Sequence, residues 1–104
     1  MNTIIEDHKE ELVRLCRQYH VQSLEVFGSA VTDRFDPQRS DLDFLVTFRK
    51  EDIPHGEYAN NYFGLLFALE DLFQRQIDLV TTTWLRNPYF IAEIAKTRTL
   101  FYAA

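Results

Sequence analysis

From Asp41 to Phe48 the chain alternates between its two sides, so that Leu42, Phe44, Val46 and Phe48 share one face of a predicted strand and Asp41 and Asp43 share the other. Ser23 to Phe27 also has strand character. So does Ile77 to Val80, where Ile77 and Leu79 oppose Asp78. Other stretches follow the helical period instead. Up to about Tyr19 the residues Ile5, Leu12, Leu15, Cys16 and Tyr19 form one stripe, with Glu10, Glu11, Arg14 and Arg17 outside it. Thr3-Ile4-Ile5-Glu6 at its start reads as a capping box. A second helix is predicted from about Glu57 to Arg75, with Tyr62, Leu65, Leu66, Leu69, Leu72 and Phe73 at helical spacing. Asn87-Pro88 supplies an N-cap and a first helical residue for a last helix to about Lys96, predicted to turn Phe90, Ile91, Ile94 and Ala95 inward. The polar stretch from Arg49 to Gly56 reads as a loop, and Leu100-Phe101-Tyr102 as a short apolar tail.

The order helix, strand, helical turn, strand, helix, strand, helix predicts an α/β fold in which helices pack on a small mixed sheet. With 104 residues, no internal repeat and no linker, residues 1–104 are expected to form one domain. No apolar run approaches the roughly 20 residues that cross a bilayer, and the N-terminus lacks the basic and then apolar layout of a signal peptide. A cytoplasmic protein with no membrane contact is expected, and the single Cys16 agrees with a reducing compartment. A net charge of −5 argues against direct binding of a long nucleic acid, which needs clustered Lys and Arg. His8, His20 and His55 lack Cys or His partners at metal-ligand spacing and read as surface or capping residues.

The candidate chemistry lies between Val26 and Phe48. Two carboxylates on one strand face repel each other unless a cation lies between them, and a hard divalent cation such as Mg²⁺ is expected at Asp41 and Asp43. Upstream, Gly28-Ser29 ends a strand and feeds a helical turn predicted at Ala30 to Arg34, a layout that offers backbone N–H groups and a hydroxyl to a phosphate. Asp78 can point the same way as Asp41 and Asp43 if its strand is their neighbour. In the loop Asp36 to Ser40, Arg39 and Ser40 complete the nucleotide-binding candidates, whereas Arg34 reads as a solvated loop arginine. An isolated Asp-x-Asp or Gly-Ser is a common turn sequence, so the weight rests on their combination with Asp78. Tyr58, Tyr62, Trp84, Tyr89 and Tyr102 are more aromatic surface than one small core readily hides, and some are expected at an interface.

Gly-Ser, eleven residues, Asp-x-Asp entering an apolar strand, and a third carboxylate at Asp78 after an intervening helix resemble the signature of the nucleotidyltransferase superfamily that includes DNA polymerase beta. Within it the chain is similar to the minimal nucleotidyltransferases, the MntA-type antitoxins that accompany HEPN-domain toxins. Many members have ten residues between the Ser and the first Asp, often with an Arg-Gly turn, where this chain reads Asp33-Arg34-Phe35. The resemblance implies the polymerase beta-like fold and two Mg²⁺ ions held by Asp41, Asp43 and Asp78, with Asp78 also the base and Gly28 and Ser29 holding phosphates. It further implies transfer of AMP from ATP to a hydroxyl, a tyrosine of a HEPN toxin, within a hetero-oligomer. Only 26 residues follow Asp78, room for one helix and a tail, so the acceptor is expected to come from the partner. Two other readings use the same residues: an antitoxin that acts by binding alone, and a transferase to a small molecule such as an aminoglycoside. Three mutually repelling carboxylates on one face favour the enzyme.

Overall fold

Strands β1 (Val21–Phe27), β2 (Leu42–Phe48), β3 (Ile77–Thr81) and β4 (Thr99–Ala103) form one mixed sheet in the order β3-β2-β1-β4. The computed structural model describes residues 2–32 and 34–104. β2 runs antiparallel to β1 and parallel to β3, and β4 closes the far side antiparallel to β1. The helices are α1 (Thr3–Asp7), α2 (Lys9–Gln18), α3 (Tyr58–Phe73) and α4 (Pro88–Ala95). Among the described residues no helix is long and apolar enough to cross a membrane.

Alternation along β1 and β2 divides the sheet into two unlike faces. Leu24, Val26, Leu42, Phe44 and Val46 are fully buried against Leu12 and Cys16 of α2 and Leu65 and Leu69 of α3. Burial pushes the Cys16 thiol up to about 12, so it behaves as a small hydrophobe. α2 and α3 approach closely at Gly64, where a side chain would overlap the Tyr19 ring. On the other face a second cluster consists of Phe27, Leu45 and Ile94, with Val80 and Leu85 packed against it.

The first helix and the apolar tail differ from expectation. Helix α1 starts one residue earlier than a Thr3 cap would require, because the side chain of Asn2 accepts from Ile4 N at 2.8 Å. The first helix also breaks at His8. Its Nδ1 lies 2.8 Å from Ile4 O, the carbonyl that His8 N–H would meet in an unbroken helix, and the ring packs on Phe73. The apolar tail is strand β4. There Leu24 pairs with Tyr102 but Glu25 with Leu100, so Phe101 is an extra residue on the bulged strand, and both Phe101 and Tyr102 lean on the main core.

Helix α4 follows the predicted cap, with Asn87 Oδ1 accepting from Tyr89 N at 2.9 Å and Phe90 N at 3.3 Å. Its burial departs from the prediction. Only Ile94 is buried, and Phe90 (39% exposed), Ile91 (40%) and Ala95 face outward, because the sheet offers this helix only a narrow apolar strip.

Candidate active site

Register brings the carboxylates together. Asp43 on β2 lies directly opposite Asp78 on the parallel strand β3, so both side chains leave the sheet on one face, and Asp41 precedes Asp43 by two residues on that same side. Burial, and then the charges of Asp78 and Asp41, push the Asp43 carboxyl up to about 6. Burial and Asp41 raise the Asp78 carboxyl as well. These shifts mark carboxylates that lack a compensating positive charge.

The Gly-Ser turn meets the same carboxylates. Gly28 follows β1 with φ +72°, and a Cβ built there would overlap Asp43 Oδ2, so only glycine lets the turn lie against that side chain. The helical turn spans Gly28–Val31 as a single 3₁₀ turn, two residues earlier than predicted, and is closed by Thr32 N donating to Ser29 O at 3.0 Å. Asp33, part of the predicted turn, lies outside the described residues. The Gly28 N–H is also not free, since it donates to Thr97 Oγ1 at 2.7 Å. Thr97, just past α4, thus holds the Gly-Ser turn in place from 69 residues away.

Asp41 is presented by a loop that Arg75 clamps. Nη1 and Nη2 of Arg75 donate to Ser40 O (3.1 Å) and Pro37 O (2.6 Å), and its guanidinium lies 5.4 Å from the centre of the Phe35 ring. Nothing in the local pattern singles out Arg75, which reads as the last polar residue of a helix. Within the loop the hydroxyl of Ser40 accepts from Asp36 N at 2.9 Å, so Ser40 caps a turn. Arg39 is exposed. Arg34, exposed as well, lines a cavity of about 410 Å³ together with Gly28, Ser29 and Lys96.

The aromatic candidates divide. Tyr58 Oη is within 3.1 Å of Thr81 Oγ1, and Tyr62 Oη donates to Leu79 O at 2.6 Å, so both fasten the edge strand β3 to α3. Tyr102 packs on the core. Trp84 (62% exposed) and Tyr89 (85%) face solvent, beside the outward residues of α4.

The family model of the nucleotidyltransferase domain matches residues 5–101, so the chain belongs to that family and is a nucleotidyltransferase. It is 30% identical over 86 residues, 83% of this chain and 79% of the relative, to a Methanocaldococcus jannaschii protein provisionally named a protein adenylyltransferase. Its fold is similar to a solved structure provisionally named a minimal nucleotidyltransferase, with a TM-score of 0.72 and 25% identity over 95% of both chains. It is also similar to a chain from the solved complex of tri-AMPylated Shewanella oneidensis HEPN toxin with MNT antitoxin. That match has a TM-score of 0.63 and 16% identity, covering 95% of this chain and 72% of the other, a likeness of fold alone. The expected mixed sheet and minimal nucleotidyltransferase fold are what the chain has.

Among the described residues no group of three His, Cys, Asp or Glu side chains is gathered closely enough to hold a metal ion as it stands. The donor set nevertheless suits a hard divalent cation. All three groups are carboxylates, and two of them, Asp43 and Asp78, are pushed toward protonation by burial and then by neighbouring carboxylate charge, a cost that a cation would lower.

Proposed function

We propose that this nucleotidyltransferase transfers AMP from ATP to a hydroxyl of a partner protein, a tyrosine of a HEPN-type toxin, and acts as its antitoxin in the cytoplasm. The register of Asp43 with Asp78, closed on one side by Gly28, carries this reading. The names of the similar adenylyltransferase and of the tri-AMPylated toxin complex support it. Asp41, Asp43 and Asp78 would hold Mg²⁺, which when bound neutralises phosphate charge and lowers the pKa of the acceptor hydroxyl.

The chain's own residues do the rest. The turn at Gly28 and Ser29 orients the triphosphate so that its α phosphorus faces the carboxylates. Asp78, on the same face of the sheet as Asp43, takes the proton from the acceptor oxygen. That oxygen forms a bond to the α phosphorus while the bond from phosphorus to the bridging oxygen of pyrophosphate breaks, and pyrophosphate leaves with the electron pair. Trp84 and Phe90 line a hollow of about 380 Å³ against Val80, two residues along β3 from Asp78 on the same face, which suits an acceptor side chain delivered by a partner.

The test uses the full chain, Mg²⁺, α-labelled ATP and the cognate partner. Label should move to the partner with the wild-type chain. Asp78→Asn should keep ATP affinity within a few fold but slow transfer by about 10² or more, the usual cost of losing a general base. A chain that silences the partner with no label transferred would be a binder, and the enzymatic reading would fail.

A further inference from the structure

We infer that the cavity between the Gly28–Ser29 turn and the C-terminal end of α4 takes the donor nucleoside triphosphate, with Arg34 and Lys96 as its phosphate-binding cations and the Phe90 ring as the wall for its base. The inference rests on the nucleotidyltransferase reading and assigns to that site residues which the motif itself does not include.

Position is the first argument. The cavity, about 410 Å³, is within the range of roughly 300 to 1,000 Å³ typical of ligand sites, and its floor is the same turn that presses on Asp43. Charge is the second. In a chain of net charge −5, this cavity gathers Arg34 and Lys96 on its rim together with Ser29 and Thr97. A polyanion next to three carboxylates needs cations on its far side, and Asp41, Asp43 and Asp78 cannot supply them. Among the described residues the one carboxylate lining the cavity, Glu93, is held by Lys96, whose Nζ lies 2.9 Å from Glu93 Oε2. That pair is exposed, and exposed pairs are worth little, so an incoming phosphate can exchange for Glu93 at Lys96.

The third argument is the orientation of α4. Phe90 meets Phe27 edge to face at 6.4 Å, which fixes the ring while leaving it 39% exposed. An aromatic surface held in place beside a phosphate site is suited to stacking a base, a contact that tolerates any base because each has a π face. It also gives a reason for the outward turn of a residue that the sequence pattern would bury.

Titration calorimetry of the full chain with Mg²⁺ can decide this with two probes, ATP and inorganic tripolyphosphate. Lys96→Ala and Arg34→Ala should each weaken both probes by about 10-fold or more, the effect of losing one charge-assisted contact. Phe90→Ala should weaken ATP by a similar factor and leave tripolyphosphate within about twofold, since stacking involves the base alone. Glu93→Gln should tighten both. Arg14→Ala, on the outer face of α2, controls for net charge. Wild-type affinity in Lys96→Ala and Arg34→Ala, with ATP still bound, would overturn the inference and leave the nucleotidyltransferase reading standing. Failure of the wild-type chain to bind either probe would overturn both.

Discussion

The two faces of one sheet have been built for different purposes. The face toward α2 and α3 buries Leu24, Val26, Leu42, Phe44 and Val46 completely, under helices that meet at Gly64 and Tyr19. The face toward α4 hides Phe27, Leu45 and Ile94, and otherwise holds Asp43, Asp78, Glu25 and the aromatic residues that solvent reaches. The same strands supply both, so alternation along β2 puts a structural residue and a chemical one next to each other at every step. The difference teaches that stability and function can be changed almost independently here, through neighbouring positions of a single strand.

The largest effect tests that independence directly. Phe44→Ala should cost about 3–5 kcal/mol in denaturant unfolding, the range for a fully buried phenylalanine. Its neighbour should behave in the opposite way. Replacing Asp41 and Asp43 together by Asn should leave the metal-free midpoint equal to or above that of the wild type, because it removes repulsion, while Mg²⁺-dependent ATP binding and transfer disappear. A large loss of stability in the double variant would make these carboxylates structural, and the contrast between the faces would collapse.

A pH titration sharpens the same contrast with a smaller effect. The Asp43 carboxyl titrates at about 6 in the folded chain, above the ordinary carboxylate value near 3.9, so the folded state binds this proton more tightly than the unfolded state. The stabilisation that it brings is therefore complete below about pH 4 and is lost as pH rises through about 6. Asp78 moves in the same direction. In metal-free buffer, thermal midpoints should fall between about pH 4 and pH 7, and Asp43→Asn should flatten that slope. Mg²⁺ should raise the midpoint more at neutral pH than at pH 4, where protons compete for the carboxylates. A slope unchanged in Asp43→Asn would place the titrating group elsewhere.

What the sequence showed depended on how local each feature is. The carboxylate strand, the Asn87 cap and the stripe of α3 are set by residues within one or two turns of each other, and all are present. The parallel pairing that puts Asp78 opposite Asp43 needed only that two strands be neighbours. β4 was not legible, since it pairs with a strand some 75 residues away and its bulge breaks the alternation that would have marked it. Arg75 and Thr97 were missed for the same reason, because their partners Pro37, Ser40 and Gly28 lie far along the chain. Arg34 and Arg39 could not be told apart by type, and only the path of the loop puts the first beside Ser29. The outward face of α4 misled in a more useful way. A run of apolar residues at helical spacing usually means core, and here the sheet beneath is too polar to receive it.

The smallest expected effect belongs to the ion pair on the α4 face. Arg98 donates to Glu25 through Nε at 2.9 Å and Nη2 at 2.6 Å, joining the turn after α4 to β1, and the bond to Glu25 pushes the guanidinium pKa up still further. The geometry is bidentate, which favours a real contribution, but Arg98 is 45% exposed and water screens the pair. A double-mutant cycle of Arg98→Ala with Glu25→Ala should give a coupling of about 1 kcal/mol or less, shrinking further near 1 M salt as the Debye length falls to about 3 Å. Because Glu25 is only 14% exposed, Arg98→Ala alone should cost more than the coupling, by the desolvation that its partner no longer offsets. Even so the sum should stay well below the cost of Phe44→Ala. If the pair proved as costly to remove as that phenylalanine, the α4 side would be a second core, and the division of the sheet into a face for folding and a face for chemistry would have to be abandoned.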